Sequence, residues 1–175
     1  MSKRQSVDKN SREYQLDRMA RGRGTLLLII IFTVVNLAFV LMDLGTYFLF
    51  SVSVPYYLVS YCMGLDNFFV DGPWDTIGSN TQMALVIGAV ILIIYLLCWL
   101  LAKKHSGWMV AATVLFVVDS LALVWISFAL LVRPMNNIVD FLMHIWALVQ
   151  MIQACVAGGK LRRMDREEPG DPENF

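Results

Sequence analysis

Two aspartates and a histidine stand where nearly every neighbour is hydrocarbon. Asp119 lies inside VLFVVDSLALVWI, and Asp140 and His144 lie inside IVDFLMHIWALV. Ionisable groups in such runs are costly in a bilayer, and they mark either helix-to-helix contacts or ion paths. Asp140 and His144 are four residues apart and so share a helix face. Histidine is the side chain whose charge changes near neutral pH, which makes the pair a candidate proton relay. One imidazole and one carboxylate are too few ligands for a metal site, and none is expected.

Asn36 and Gln150 add uncharged polar groups within apolar runs, while Asp43 and Arg133 stand at the ends of two others as a candidate outer rim. At about 1.5 Å per helical residue, Asp119 comes near the middle of its run with Gln150 at similar depth. His144 comes about 9 Å nearer the opposite surface, level with Asn36. Asp119 itself is expected as a neutral carboxyl hydrogen-bonded to a neighbouring helix, with proton or cation coupling as the sharper alternative.

The elements that position these groups are set by composition. Of 175 residues, 58% are hydrophobic and only 16% charged, with a mean hydropathy of +0.61, too apolar for a soluble domain. A spanning helix needs roughly 20 apolar residues. Residues 25–43, 82–102, 108–132 and 137–158 meet this, which predicts an all-α, integral membrane four-helix bundle occupying residues 24–159. A basic arm (1–23) precedes it, and a polar tail (160–175), expected to be disordered, follows.

Basic residues fix the expected threading. Seven lie on the N-terminal arm, two (Lys103 and Lys104) between the second and third spans and four on the tail, so thirteen of the fourteen fall on one side. Positive charge accumulates on the cytoplasmic side, which predicts a cell-membrane protein with both termini in the cytoplasm and anionic lipid near its basic face.

Between the first two spans, residues 44–80 form a hydrophobic, aromatic-rich extracytoplasmic segment. LGTYFLFSVSVPYYLVSYCMGL is long enough to cross, but a crossing would put Lys103 and Lys104 outside. Pro55 would also cost a helix interior about 3 kcal/mol. The aromatic rings match the enrichment of Tyr and Trp at headgroup depth, so a helix or re-entrant elbow capping the outer ends of the bundle is expected.

In the fourth span, Asp140, His144, Ala147, Met151, Ala154 and Gly158 form one stripe of mostly modest bulk, a packing face in a membrane. Ala84 and Gly88 make a weaker second pair. Cys62, Cys98 and Cys155 are expected to be unpaired. No catalytic, nucleotide or nucleic-acid motif is present, so neither an enzyme nor a nucleic-acid partner is expected, and no cofactor.

The stretch GTYFLFSVSVPYYLVSY, following a first span that ends NLAFVLMD, resembles small four-span integral membrane proteins of low-GC Gram-positive bacteria. The resemblance implies membrane location and carries no site residues. The sequence therefore points to an accessory or interaction protein that docks a lipid, a second copy or a larger membrane partner, with a small oligomeric transporter or channel using Asp119 as the alternative.

External thiol labelling tests the threading. In a cysteine-free background, single cysteines at Asp71 or Asn136 should react from outside and one at Ser106 should not. Reaction at Ser106 with protection at Asp71 reverses the orientation.

Overall fold

The structure, a computed structural model, describes residues 11–44, 50–69, 77–129 and 138–167. Five helices follow in order: α1 (Arg12–Leu41), α2 (Ser53–Phe69), α3 (Ser79–Leu101), α4 (Gly107–Ala129) and α5 (Ile138–Glu167). Four of them, all but α2, are long and apolar enough to cross a membrane, which marks the chain as multi-pass. Arg133 lies outside the described residues, as do the last eight residues of the tail.

α1 begins well before its apolar run. Ser11 caps it by accepting from the Tyr14 N–H at 3.3 Å, and an ion pair between Arg21 and Asp17, four apart, supports the first turns. α5 likewise continues through Glu167, with Arg163 donating to that carboxylate at 2.7 Å. The first half of the expected disordered tail is therefore helical, because its charges are spaced for pairing along a helix.

Both helix ends and the α3–α4 turn share one end of the bundle. Arg12 meets Asp165 at 3.2 Å, and Arg162 donates to the Ser106 hydroxyl at 2.9 Å. The expected stripe on α5 is buried along its whole length, from Asp140 to Gly158, and the approach it allows is close. A Cβ on Gly22 of α1 would overlap the Ala154 Cβ, and one on Gly158 would stand 2.6 Å from the Ser106 Cβ. The second small pair, Ala84 and Gly88, receives α2. Ala84 is buried with Leu37 and Val59, and a Cβ on Gly88 would sit 3.5 Å from the Pro55 Cβ.

At the other end of the bundle, α2 closes onto the start of α3. Gly78 precedes α3 and offers no side-chain cap. Asp66 supplies the missing acceptor from across the chain: its carboxylate accepts from the Thr81 hydroxyl at 2.6 Å, the Thr81 N–H at 2.8 Å and the Asn80 amide at 2.8 Å. The Thr81 hydroxyl above all holds this carboxyl below the usual carboxylate range, against the opposing effect of burial.

A helix or re-entrant elbow is expected between α1 and α3, and the described residues 50–69 of that segment hold a helix that runs inward. Its helix, α2, has one end at Thr81 and the other beside Asp119, in the middle of α4. A rise of about 1.5 Å per residue separates Ser53 from Asp66 by about 20 Å. Residues 51–54 thus lie at the depth of Thr33, Asn36 and Asp119, and α2 runs from there toward the start of α3.

Candidate functional site

α2 starts inside the bundle, where its free N–H groups have no water to satisfy them. Pro55 reduces the problem, since proline in a first turn has no N–H to satisfy. The remaining donors are met one by one. Val52 N–H donates to the Thr33 hydroxyl at 2.8 Å, and that hydroxyl donates in turn to the Ile29 carbonyl at 2.7 Å. Ser53 N–H donates to Asp119 Oδ2 and Val54 N–H to Asp119 Oδ1, both at 2.8 Å. Asn36 Nδ2 donates to the Ser51 hydroxyl at 2.8 Å.

Asp119 is therefore a helix cap supplied by another helix. Both oxygens are acceptors, and the positive end of the α2 dipole favours a negative charge beside it. Its partners on the neighbouring helix are backbone N–H groups, which sequence alone did not reveal, because a lone carboxyl inside an apolar run gives no sign of a helix starting opposite it.

The turn before α2 is tight. Phe50 takes φ 86, a left-handed conformation that costs an L-residue about 1–2 kcal/mol. Its ring stands edge-on to Phe32, with centroids 6.3 Å apart, and 5.2 Å from Trp146, so packing holds what the backbone disfavours.

His144 joins the same cluster. Its Nδ1 stands 3.0 Å from the Asp140 carbonyl, which can only accept, so Nδ1 carries the proton. Its Nε2 lies 3.2 Å from the Ser53 hydroxyl and 3.6 Å from Asp119 Oδ2. Asp140 Oδ1 is 3.4 Å from Nδ1, and the Phe116 ring stacks on the imidazole at 5.0 Å. All of these groups are buried.

His144 and Asp119, placed at different depths by counting along the apolar runs, thus stand together. The contact of Gly158 with Ser106 sets the register of α5 against α4. His144 lies fourteen residues above Gly158 and Asp119 thirteen above Ser106, so they meet. Counting from the middle of each apolar run missed this, because α5 extends beyond its run. Gln150 does not belong to the site; it lines a hollow with Tyr14, Asp17 and Arg18 instead. Asp43 lies in the turn just past the end of α1, where it is exposed. Asp140 and His144, singled out as sharing one helix face, stand side by side, with Oδ1 of Asp140 3.4 Å from Nδ1 of His144.

Sequence reasoning missed Ser53, Thr33, Tyr95 and Phe116. One signal was available: in SVP a proline stands two residues after a serine, and proline is accepted in the first turn of a helix. Tyr95 of α3 is buried to 2% exposure, and its hydroxyl has no hydrogen-bond partner among the described residues. It lines a crevice of about 170 Å³ between α3, α4 and the start of α2, with Val52, Val54, Ile91, Ile94, Leu115, Val118 and Asp119.

Chemically, Ser53, His144 and Asp140 stand in the order of nucleophile, base and orienting acid. The backbone N–H groups of Ser53 and Val54, which could receive an oxyanion, are occupied by a carboxylate, which would repel one. The same groups serve instead as an anchor. No group of three or more His, Cys, Asp or Glu placed to hold a metal ion occurs among the described residues. No family model matches the chain, and neither a curated protein nor a solved structure does.

Asp119→Asn keeps one acceptor oxygen and turns an NH₂ group toward a backbone N–H. It should destabilise the detergent-solubilised protein by about 1–3 kcal/mol, and Asp119→Leu, which strands both donors, by more. Chemical unfolding in mixed micelles measures both, and an Asn variant as stable as wild type would contradict the capping role.

Proposed function

We propose that the chain is a non-enzymatic docking protein of the membrane, whose α3–α4 face receives a membrane-embedded helix of a partner protein. The observation that carries this reading is Tyr95, whose side chain lines an aliphatic crevice and whose hydroxyl is buried and unpartnered among the described residues. A buried donor without an acceptor is costly, and a polar side chain on an incoming helix would supply one. Exposed ridges flank the crevice: Val90, Ile93 and Leu97 on α3, and Val114, Leu121 and Trp125 on α4. Together they give a helix an apolar surface along most of a span.

The buried polar groups support docking over conduction. Thr33, Asn36, Asp119 and Ser53 all have partners within the chain, and the crevice that reaches Asp119 is walled by Val, Ile and Leu. Both termini belong to the cytoplasm on this reading, supported by the thirteen basic residues of the arm, the α3–α4 link and the tail.

One observation favours a proton- or cation-coupled transporter as a second reading. The His144 imidazole lies between the carboxylates of Asp119 and Asp140, an arrangement able to take up and release a proton.

The two readings separate by experiment. A photo-crosslinker at Val118 in native membranes should give one discrete adduct of protein mass, suppressed by Ile94→Trp, which fills the crevice. Vesicles holding the purified chain should show no proton flux above empty liposomes. Flux that His144→Gln abolishes, or adducts of lipid mass alone, would overturn the docking reading.

A further inference from the structure

The end of the bundle that carries the start of α1 and the end of α5 holds another hollow, which shares no lining residue with the Tyr95 crevice and is independent of the docking reading. Its volume is about 340 Å³, within the range of small-molecule sites. Four fixed cations line it: Arg12 from α1, Lys103 and Lys104 from the α3–α4 turn, and Arg162 from α5. Asp165, the one carboxylate in the lining, is engaged by Arg12 at 3.2 Å. Positive charge in excess is thus gathered from three separate elements onto one concave surface, with Lys103, Lys104 and Arg162 beyond the Arg12–Asp165 pair.

Two further features give the hollow a shape as well as a sign. Arg162 is held against it, donating to the Ser106 hydroxyl at 2.9 Å. Ser106 directly precedes α4, a helix of 23 residues, so the positive end of that helix dipole opens at the same place and favours an anion there. The other wall is apolar, formed by Leu16, Met19, Ala102 and Leu161.

We infer that this hollow is a binding site for the phosphate headgroup of an anionic membrane lipid. The cations and the α4 terminus meet the phosphate, and the apolar wall meets the glycerol and the upper acyl carbons. Basic pockets between membrane helices at a charged leaflet recognise lipid phosphates through this combination. A free phosphate would use the same cations but would leave the apolar wall without a partner, which favours the lipid as the source.

The full chain in nanodiscs provides the test. Discs of phosphatidylcholine alone are compared with discs containing about one-fifth phosphatidylglycerol, reading lipid retained after detergent extraction by native mass spectrometry and the thermal midpoint. Wild type should retain phosphatidylglycerol over phosphatidylcholine by about tenfold or more and unfold at a higher temperature with it. Lys103→Gln with Arg162→Gln should lose both effects. Arg18→Gln with Arg21→Gln, an equal charge change at residues that line a different hollow, should keep them.

Equal loss in the two double variants would reduce the effect to net charge and overturn the site. Stabilisation of wild type by inorganic phosphate in pure phosphatidylcholine discs, without lipid selectivity, would assign the hollow to a soluble anion and overturn the lipid. Should the first double variant fail to fold, Lys104→Gln alone gives the same readout, and full lipid selectivity in that variant would count against the proposal.

Discussion

A helix that begins in the middle of a membrane bundle must have its first N–H groups satisfied by protein. Here the Asp119 carboxylate meets two of them, at 2.8 Å each, and the rest of the molecule can be understood as what makes that meeting possible. Each unpaired backbone donor in a dry interior costs several kcal/mol, far more than any single apolar contact around it contributes. Pro55 removes one donor, Thr33 takes another, and Asp119 takes the remaining pair. The charged residue that looks least at home in the sequence is thus the one the fold can least spare.

The same device recurs at the opposite end of α2. Asp66 caps the start of α3, where Gly78 has no side chain to do so. α2 therefore receives a carboxylate from α4 at its beginning and gives one to α3 near its end. These two contacts fix its position along the bundle axis, while the small residues Ala84 and Gly88 of α3 let it approach. The long pair α1 and α5 forms the remaining scaffold. Their contact through Gly22 and Ala154, continued by that of Gly158 with Ser106, sets the register that brings His144 beside Asp119.

Periodicity and hydropathy made the four long helices and the α5 packing stripe legible, because both follow from side-chain type at fixed helical spacing. The depth of α2 was not legible. SVSVPYYLVSY has the composition of an interfacial segment, and only the partner of its first N–H groups, 65 and 66 residues away in sequence, decides that it dips inward. The aromatic rings that suggested an interfacial cap are partly used inside, as Phe50 shows against Phe32 and Trp146. His144 and Asp119 were each singled out, yet their contact depends on an inter-helix register that no single run encodes. Tyr95 gave no signal at all, since a tyrosine in an apolar run is ordinary until its hydroxyl is seen without a partner.

The central claim is that α2 is a re-entrant helix whose first turn lies as deep as Asp119. A spin-label depth scan, comparing accessibility to oxygen and to a polar nickel chelate, measures this directly at positions 54, 61 and 64 of α2 with Val118 of α4 as reference. Depth should match Val118 at position 54 and decrease steadily through 61 to 64. A uniform, shallow depth at all three positions would place α2 flat on the membrane surface and contradict the account.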